Sequence, residues 1–164
     1  MNTYEIGQTF EDTYPPEAAM WCNENGAFIT ELEPHDGKRI FQIQEVPPPP
    51  LDEVKASKIS ELKTERTTRE EAPVEYGGKL WDFDAKSRDR ITAAATALEV
   101  GGVESLEWTA HDDTSARLTA ADLKGIVAAA ALRGDALHKK YRELRDRATA
   151  AETAEAVSAI TWED

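Results

Sequence analysis

Cysteine and histidine are scarce: Cys22 stands alone, and the three histidines, His35, His111 and His138, are scattered through 164 residues. They leave nothing for a disulfide framework or a Cys/His zinc site, and a reducing compartment suits the chain. Basic residues are also few. Lysine and arginine total 19 against 32 acidic residues, a formal net charge of −13, and no cluster of them is dense enough to neutralise a run of phosphates. Nucleic acid and anionic membrane surfaces are therefore poor partners. No stretch approaches the roughly eighteen consecutive apolar residues of a membrane span, and the opening lacks a basic start followed by an apolar run. The expectation is a soluble protein made in the cytoplasm. Serine-nucleophile signatures, phosphate-binding glycine loops and dinucleotide fingerprints are absent as well. What remains is 40% hydrophobic, much of it alanine, and 31% charged. A modest core of closely packed helices follows from that balance.

The strongest punctuation is Pro47-Pro48-Pro49-Pro50, which fixes four φ angles, removes four backbone donors and holds an extended, stiff spacer. Three regions result: a small β-rich module over 1–46, a polyproline linker over 47–53, and a larger domain over 54–164. In the first, residues 27–32 and 39–46 are β-branched and aromatic, and Pro34-His35-Asp36-Gly37 supplies the turn of a hairpin. Pro15 and Pro16 precede good helix formers, so a short helical turn is expected around Ala18 to Cys22.

After the prolines, Leu51, Val54, Ile59 and Leu62 share one arc of a helix reaching about Ala72, yet residues 63–71 offer no apolar side chain. That half must be solvated, frayed or paired through charges. Residues 74–83 read as a hairpin turning at Gly77-Gly78. Asp84 is placed to cap a helix over 85–99 that Gly101-Gly102 ends. A third hairpin joins 105–109 to 115–118 through His111-Asp112-Asp113-Thr114. Thr119 and Asp122 have capping-box spacing and open the strongest helix of the sequence. From Leu123, the positions Ile126, Val127, Ala130, Gly134, Leu137, His138, Tyr141, Leu144 and Ala148 fall within a sector of about 120°. Unbroken to Ala150, that helix is about 45 Å long, whereas the 85–99 helix spans only about 22 Å. Gly125 and Gly134 are its bending or close-packing points. A short helix is expected over 152–159, with Trp162 covering an end of the core. The fold class is α+β: a small N-terminal β-hairpin module, a polyproline spacer, and a mainly helical C-terminal domain with two β-hairpins and one long amphipathic helix.

Residues able to carry chemistry have plainer structural roles. Trp81-Asp82-Phe83-Asp84 offers paired carboxylates, but in extended chain Asp82 and Asp84 share one side, and Asp84 sits where a helix needs its cap. His35-Asp36 and His111-Asp112-Asp113 lie in turns that favour those residues. His138 sits on the apolar stripe with no ligand partner one turn away, and Cys22 has no base beside it. No catalytic, cofactor-binding or metal residue is assigned and no cofactor is implied. Interaction is favoured instead: Trp21, Phe28, Phe41 and Ile43 give the small module more apolar surface than its size readily buries, and they are the candidate partner-binding residues.

A set of elements keeps order and spacing over two thirds of the chain: Gly78 in its hairpin, Trp81 to Asp84, Ser87 with Arg90 and Ile91, Trp108, Leu118 to Leu123, His138, and Ile160 with Trp162. This pattern resembles a family of formally unknown function found in phage and prophage tail-fibre regions, and the stretch around Tyr14 to Asn23 is similar to openings that precede that domain in some tail genes. The resemblance implies a non-enzymatic structural protein of the virion tail, a fibre-associated or adaptor subunit that binds other tail or fibre proteins. It supplies no catalytic residues. A tail-fibre assembly chaperone of the host cytoplasm is the alternative, and an envelope or capsule hydrolase a further one. Self-association is also expected, because the long stripe exceeds the apolar cover that the other helices offer. The resemblance makes a trimer the first guess over a dimer. The alternative is a helix that breaks at Gly134 and folds back, burying both halves within a monomer.

Overall fold

Asp36 and Gly37, at φ 48° and 77°, fold the chain back between strands β2 (Ala27–His35) and β3 (Lys38–Glu45). The structure, a computed structural model, describes residues 4–163 and divides into two compact units between Pro49 and Pro50. In the first unit a short strand not expected from the sequence, β1 (Thr9–Glu11), pairs antiparallel with β3, giving the order β1-β3-β2. Three residues are too few for alternation to announce a strand. Cross-strand partners Phe10↔Phe41 and Ile29↔Ile43 occupy one face; Phe28↔Gln44, Thr30↔Gln42 and Leu32↔Ile40 occupy the other. Helix α1 (Pro16–Glu24) buries Ala18 and Cys22 in a core with Tyr4, Ala27 and Ile43.

That packing corrects part of the interaction reading. Ile43 is fully buried, Trp21 packs half-buried against the same core, and Phe41 lies half-buried with Tyr14 at 5.2 Å and the Arg39 guanidinium at 4.9 Å. A helix longer than one turn supplies the cover that the module seemed to lack. Phe28 alone of the four stands exposed, on the opposite sheet face.

In the second unit α2 (Leu51–Glu71) starts directly after Pro50, so residues 51–53 are its first turn and the extended linker stops at the last proline. Asp52 and Glu53 there complement the positive end of the helix. Hairpin β4 (Val74–Tyr76) and β5 (Lys79–Trp81) turns at Gly77 and Gly78, both at positive φ. Next come α3 (Ala85–Gly101), hairpin β6 (Leu106–Thr109) and β7 (Ser115–Leu118), then α4 (Ala120–Ala150) and α5 (Ala154–Ser158).

Helix α4 is continuous through Gly134, and its 31 residues span about 46 Å. It serves as a spine. Along its first half lie α3 and the hairpins, around a core of Val74, Trp81, Phe83, Ile91, Ala95, Leu98, Leu118, Leu123, Ile126 and Ala130. Along its second half α2 runs antiparallel: Lys55 Nζ donates to the Thr149 carbonyl (2.8 Å) near one end, and Arg133 Nη2 donates to the Glu70 carbonyl (2.8 Å) at the other. Between them Leu62, Leu144, Ala148 and Ile160 form a second buried cluster, with Ile59, Tyr141 and Trp162 packed around it.

The wholly polar half of α2 covers the stripe after all. Arg66 lays its guanidinium 4.9 Å from the Tyr141 ring and donates to His138 Nδ1 at 3.3 Å, while Arg69 lies 5.4 Å from the Trp162 ring and bonds Glu65 (2.7 Å) and Glu163 (2.6 Å). Arginine planes on aromatic faces replace the leucines that such a seam ordinarily uses. The expectation of an intermolecular cover thus loses its premise. Of the seven stripe residues expected to face inward, Leu123, Ile126, Ala130 and Leu144 are buried and Val127, Leu137 and Tyr141 are half-buried; His138, on the same stripe, is exposed.

Candidate functional site

Residues of the sequence pattern converge where the two hairpins meet α3. Extended backbone after β5 turns Trp81 and Phe83 into the core and Asp82 and Asp84 outward. Asp84 caps α3: its Oδ1 accepts from the Ser87 backbone N–H at 2.9 Å, and its Oδ2 accepts from the Ser87 hydroxyl at 3.2 Å. That backbone N–H, joined by the hydroxyl, holds the Asp84 carboxyl below the usual carboxylate range. One turn beyond Ser87, Arg90 places its guanidinium 5.3 Å from the centre of the Trp108 ring on β6.

Asp82, Ser87, Arg90, Trp108 and Asp113 line one cleft of about 430 Å³, together with Leu106, Glu107, Thr109 and Ala110. Beside it the two hairpins are tied to each other. The His111 backbone N–H donates to the Leu80 carbonyl (2.9 Å), His111 Nδ1 donates to Asp82 Oδ1 (2.6 Å), and Lys79 Nζ donates to Thr114 Oγ1 (2.6 Å). Thr114 in turn donates from its hydroxyl to Asp112 Oδ1 (2.6 Å), and this bond leads the causes that lower the Asp112 pKa. Sequence spacing alone did not join Asp82 to His111, because 29 positions separate them.

The arrangement suits recognition. It presents a stacked guanidinium, an indole and three carboxylates, whereas the hydroxyl of Ser87 and the carboxylate of Asp84 are spent on the helix cap. The His111 ring is engaged by the Asp82 carboxylate at 2.6 Å. No group of three or more His, Cys, Asp or Glu side chains is placed to hold a metal ion among the described residues. His138 is bonded to Arg66, His35 lies 3.6 Å from Asp36 at an exposed turn, and burial pushes the Cys22 thiol up and keeps it protonated in the small core. No described helix is long and apolar enough to cross a membrane.

A family profile described as a domain of unknown function, DUF4376, matches residues 53–161. The chain belongs to that family. The match takes in α2 through α5 and the whole cleft and leaves the first unit outside. Among curated proteins and among solved structures none matches the chain.

Proposed function

We propose that this protein is a non-enzymatic structural component of a phage or prophage tail, a fibre-associated or adaptor subunit that binds other tail or fibre proteins. The observation that carries the reading is the convergence of the resembling elements: Asp82, Ser87, Arg90 and Trp108, spread over 27 positions, line one cleft. Around it Asp84, Trp81, Phe83 and Ile91 supply cap and core. The Ser87 hydroxyl in this cleft is already bonded to Asp84, which leaves Arg90, Trp108 and the cleft carboxylates to hold a partner group in place. The two-unit layout adds to this, since a small β unit and a DUF4376 module joined at a proline run can engage two partners. A trimeric assembly follows from the resemblance alone.

Mass spectrometry of purified particles, from the phage or induced lysogen that carries the gene, tests the proposal. The chain is expected in particles at a fixed ratio to the fibre protein. Its presence in infected cells but absence from particles overturns the structural role and favours the assembly chaperone.

A further inference from the structure

Among the described residues β2 carries the longest strand edge. It has nine residues, whereas the other strands outside β3 have three or four, and β3 lies on only one side of it. Among the described residues no hydrogen bond reaches the backbone of 28–34 from outside the β2–β3 ladder. Over 27–32, before the register shift that follows Leu32 and before Pro34, which has no N–H to offer, its outward N–H and C=O groups form a row ready to pair with another strand. Beside that row the open sheet face presents Phe28, exposed, and Leu32, half-buried, separated by Thr30. An added strand would continue this mixed apolar surface.

Charge selects the occupant. Residues 1–46 hold nine acids and two bases, a formal charge of −7, and both bases are already engaged: Lys38 with Glu11, and Arg39 with Glu31 through two bonds of 2.8 Å. Exposed Glu24 precedes β2, and exposed Glu33 stands near its end. A second copy would bring the same formal charge of −7 against this one, so a strand of its own is opposed by like charge. We propose that β2 accepts an extended, lysine- or arginine-bearing segment of a partner protein as a fourth strand. This docking surface lies outside the DUF4376 module and is independent of the tail assignment.

The test uses the full chain, isotopically labelled, titrated with a nine-residue peptide alternating lysine and valine, the length of β2. A glutamate–valine peptide is the control. The lysine peptide is expected to bind at least about tenfold more tightly at low salt, with affinity falling as salt rises. Amides within 28–32 that face away from β3 are expected to gain exchange protection. The double variant Glu24→Lys/Glu33→Lys, both changes on exposed side chains, should weaken binding about fivefold or more with an unchanged circular dichroism spectrum. Equal affinity for the two peptides, no binding at millimolar lysine peptide, or protection confined to the Arg90–Trp108 cleft overturns the proposal. So does a free protein whose β2 amides are already protected in a light-scattering dimer, which would make a second copy the occupant.

Discussion

Gly125 of α4 lies against the ring of Tyr76 on β4, so close that a Cβ on residue 125 would stand 2.3 Å from two ring carbons. The contact pins the β4–β5 hairpin to the spine, and the Trp81 indole N–H secures the same hairpin by donating to the Tyr76 carbonyl at 3.0 Å. Gly134, nine residues on, has nothing within 4 Å of the equivalent position. Gly125→Ala is therefore expected to destabilise by about 1–3 kcal/mol, because the ring must shift out of a packed core. Gly134→Ala is expected to stabilise by about 0.5–1 kcal/mol through helix propensity. Denaturant unfolding of the two variants checks the opposite signs, and in a Tyr76→Ala background the cost at Gly125 should shrink.

The apolar stripe of α4 divides in the same way. Leu144 is buried in the second cluster and Leu137 is only half-buried. Leu144→Ala is expected to cost about 2–5 kcal/mol, and Leu137→Ala less. Thermal melts in which both variants match the parent would mean that the stripe is not core.

Much of this architecture was legible because its signals are local. Gly77-Gly78, the Asp84 cap, the Thr119–Asp122 box and the long stripe each act within about a turn or two, where residue type and spacing constrain the backbone directly. What covers the stripe was not legible. Arg66 reaches Tyr141 across 75 positions, and an arginine whose plane caps an aromatic reads in sequence as one more solvated charge. The first unit misled for a related reason: Ile43 looks like spare surface until the Ala18 and Cys22 side of α1 packs with it, and Phe41 until Tyr14 and Arg39 lie against its ring. The cleft was legible as ingredients, and only the fold joins Asp82 to His111 and Arg90 to Trp108.

Arg133 joins the end of α2 to the middle of the spine. Its Nη1 donates to the Pro73 carbonyl (2.8 Å) and its Nη2 to those of Glu70 (2.8 Å) and Ala72 (2.7 Å), satisfying carbonyls that a helix end leaves without partners. Burial lowers its pKa, opposed by the charge of Glu70. Arg133→Met is expected to cost about 1.5–3 kcal/mol. Arg133→Lys should recover only part, because a single ammonium cannot reproduce the guanidinium fork. Hydrogen exchange offers a second reading: amides of 66–71 should open faster in Arg133→Met, and α3 amides should not.

The start of α4 contributes, with the Asp84 and Asp112 carboxyls, to the acid sensitivity of the fold. The Thr119 side chain accepts from the Asp122 backbone N–H (3.2 Å), while Asp122 Oδ2 accepts from the Thr119 backbone N–H (2.9 Å) and hydroxyl (2.7 Å). These bonds, the hydroxyl first, hold the Asp122 carboxyl below its ordinary value of 3.8. A carboxyl with a folded pKa below its unfolded one contributes stability that is complete above the unfolded value and is lost as pH falls through the folded value. The contribution should therefore be full at pH 5 and above, and should decline from about pH 4 downward. Thr119→Ala is expected to cost about 0.5–2 kcal/mol at neutral pH. The same change removes the leading cause of the lowered pKa, so the variant should lose less stability than the parent between about pH 4 and pH 2. Unfolding free energies measured at both ends of that range decide the matter: parallel acid losses in parent and variant would mean that the Thr119–Asp122 pair does not contribute to this sensitivity.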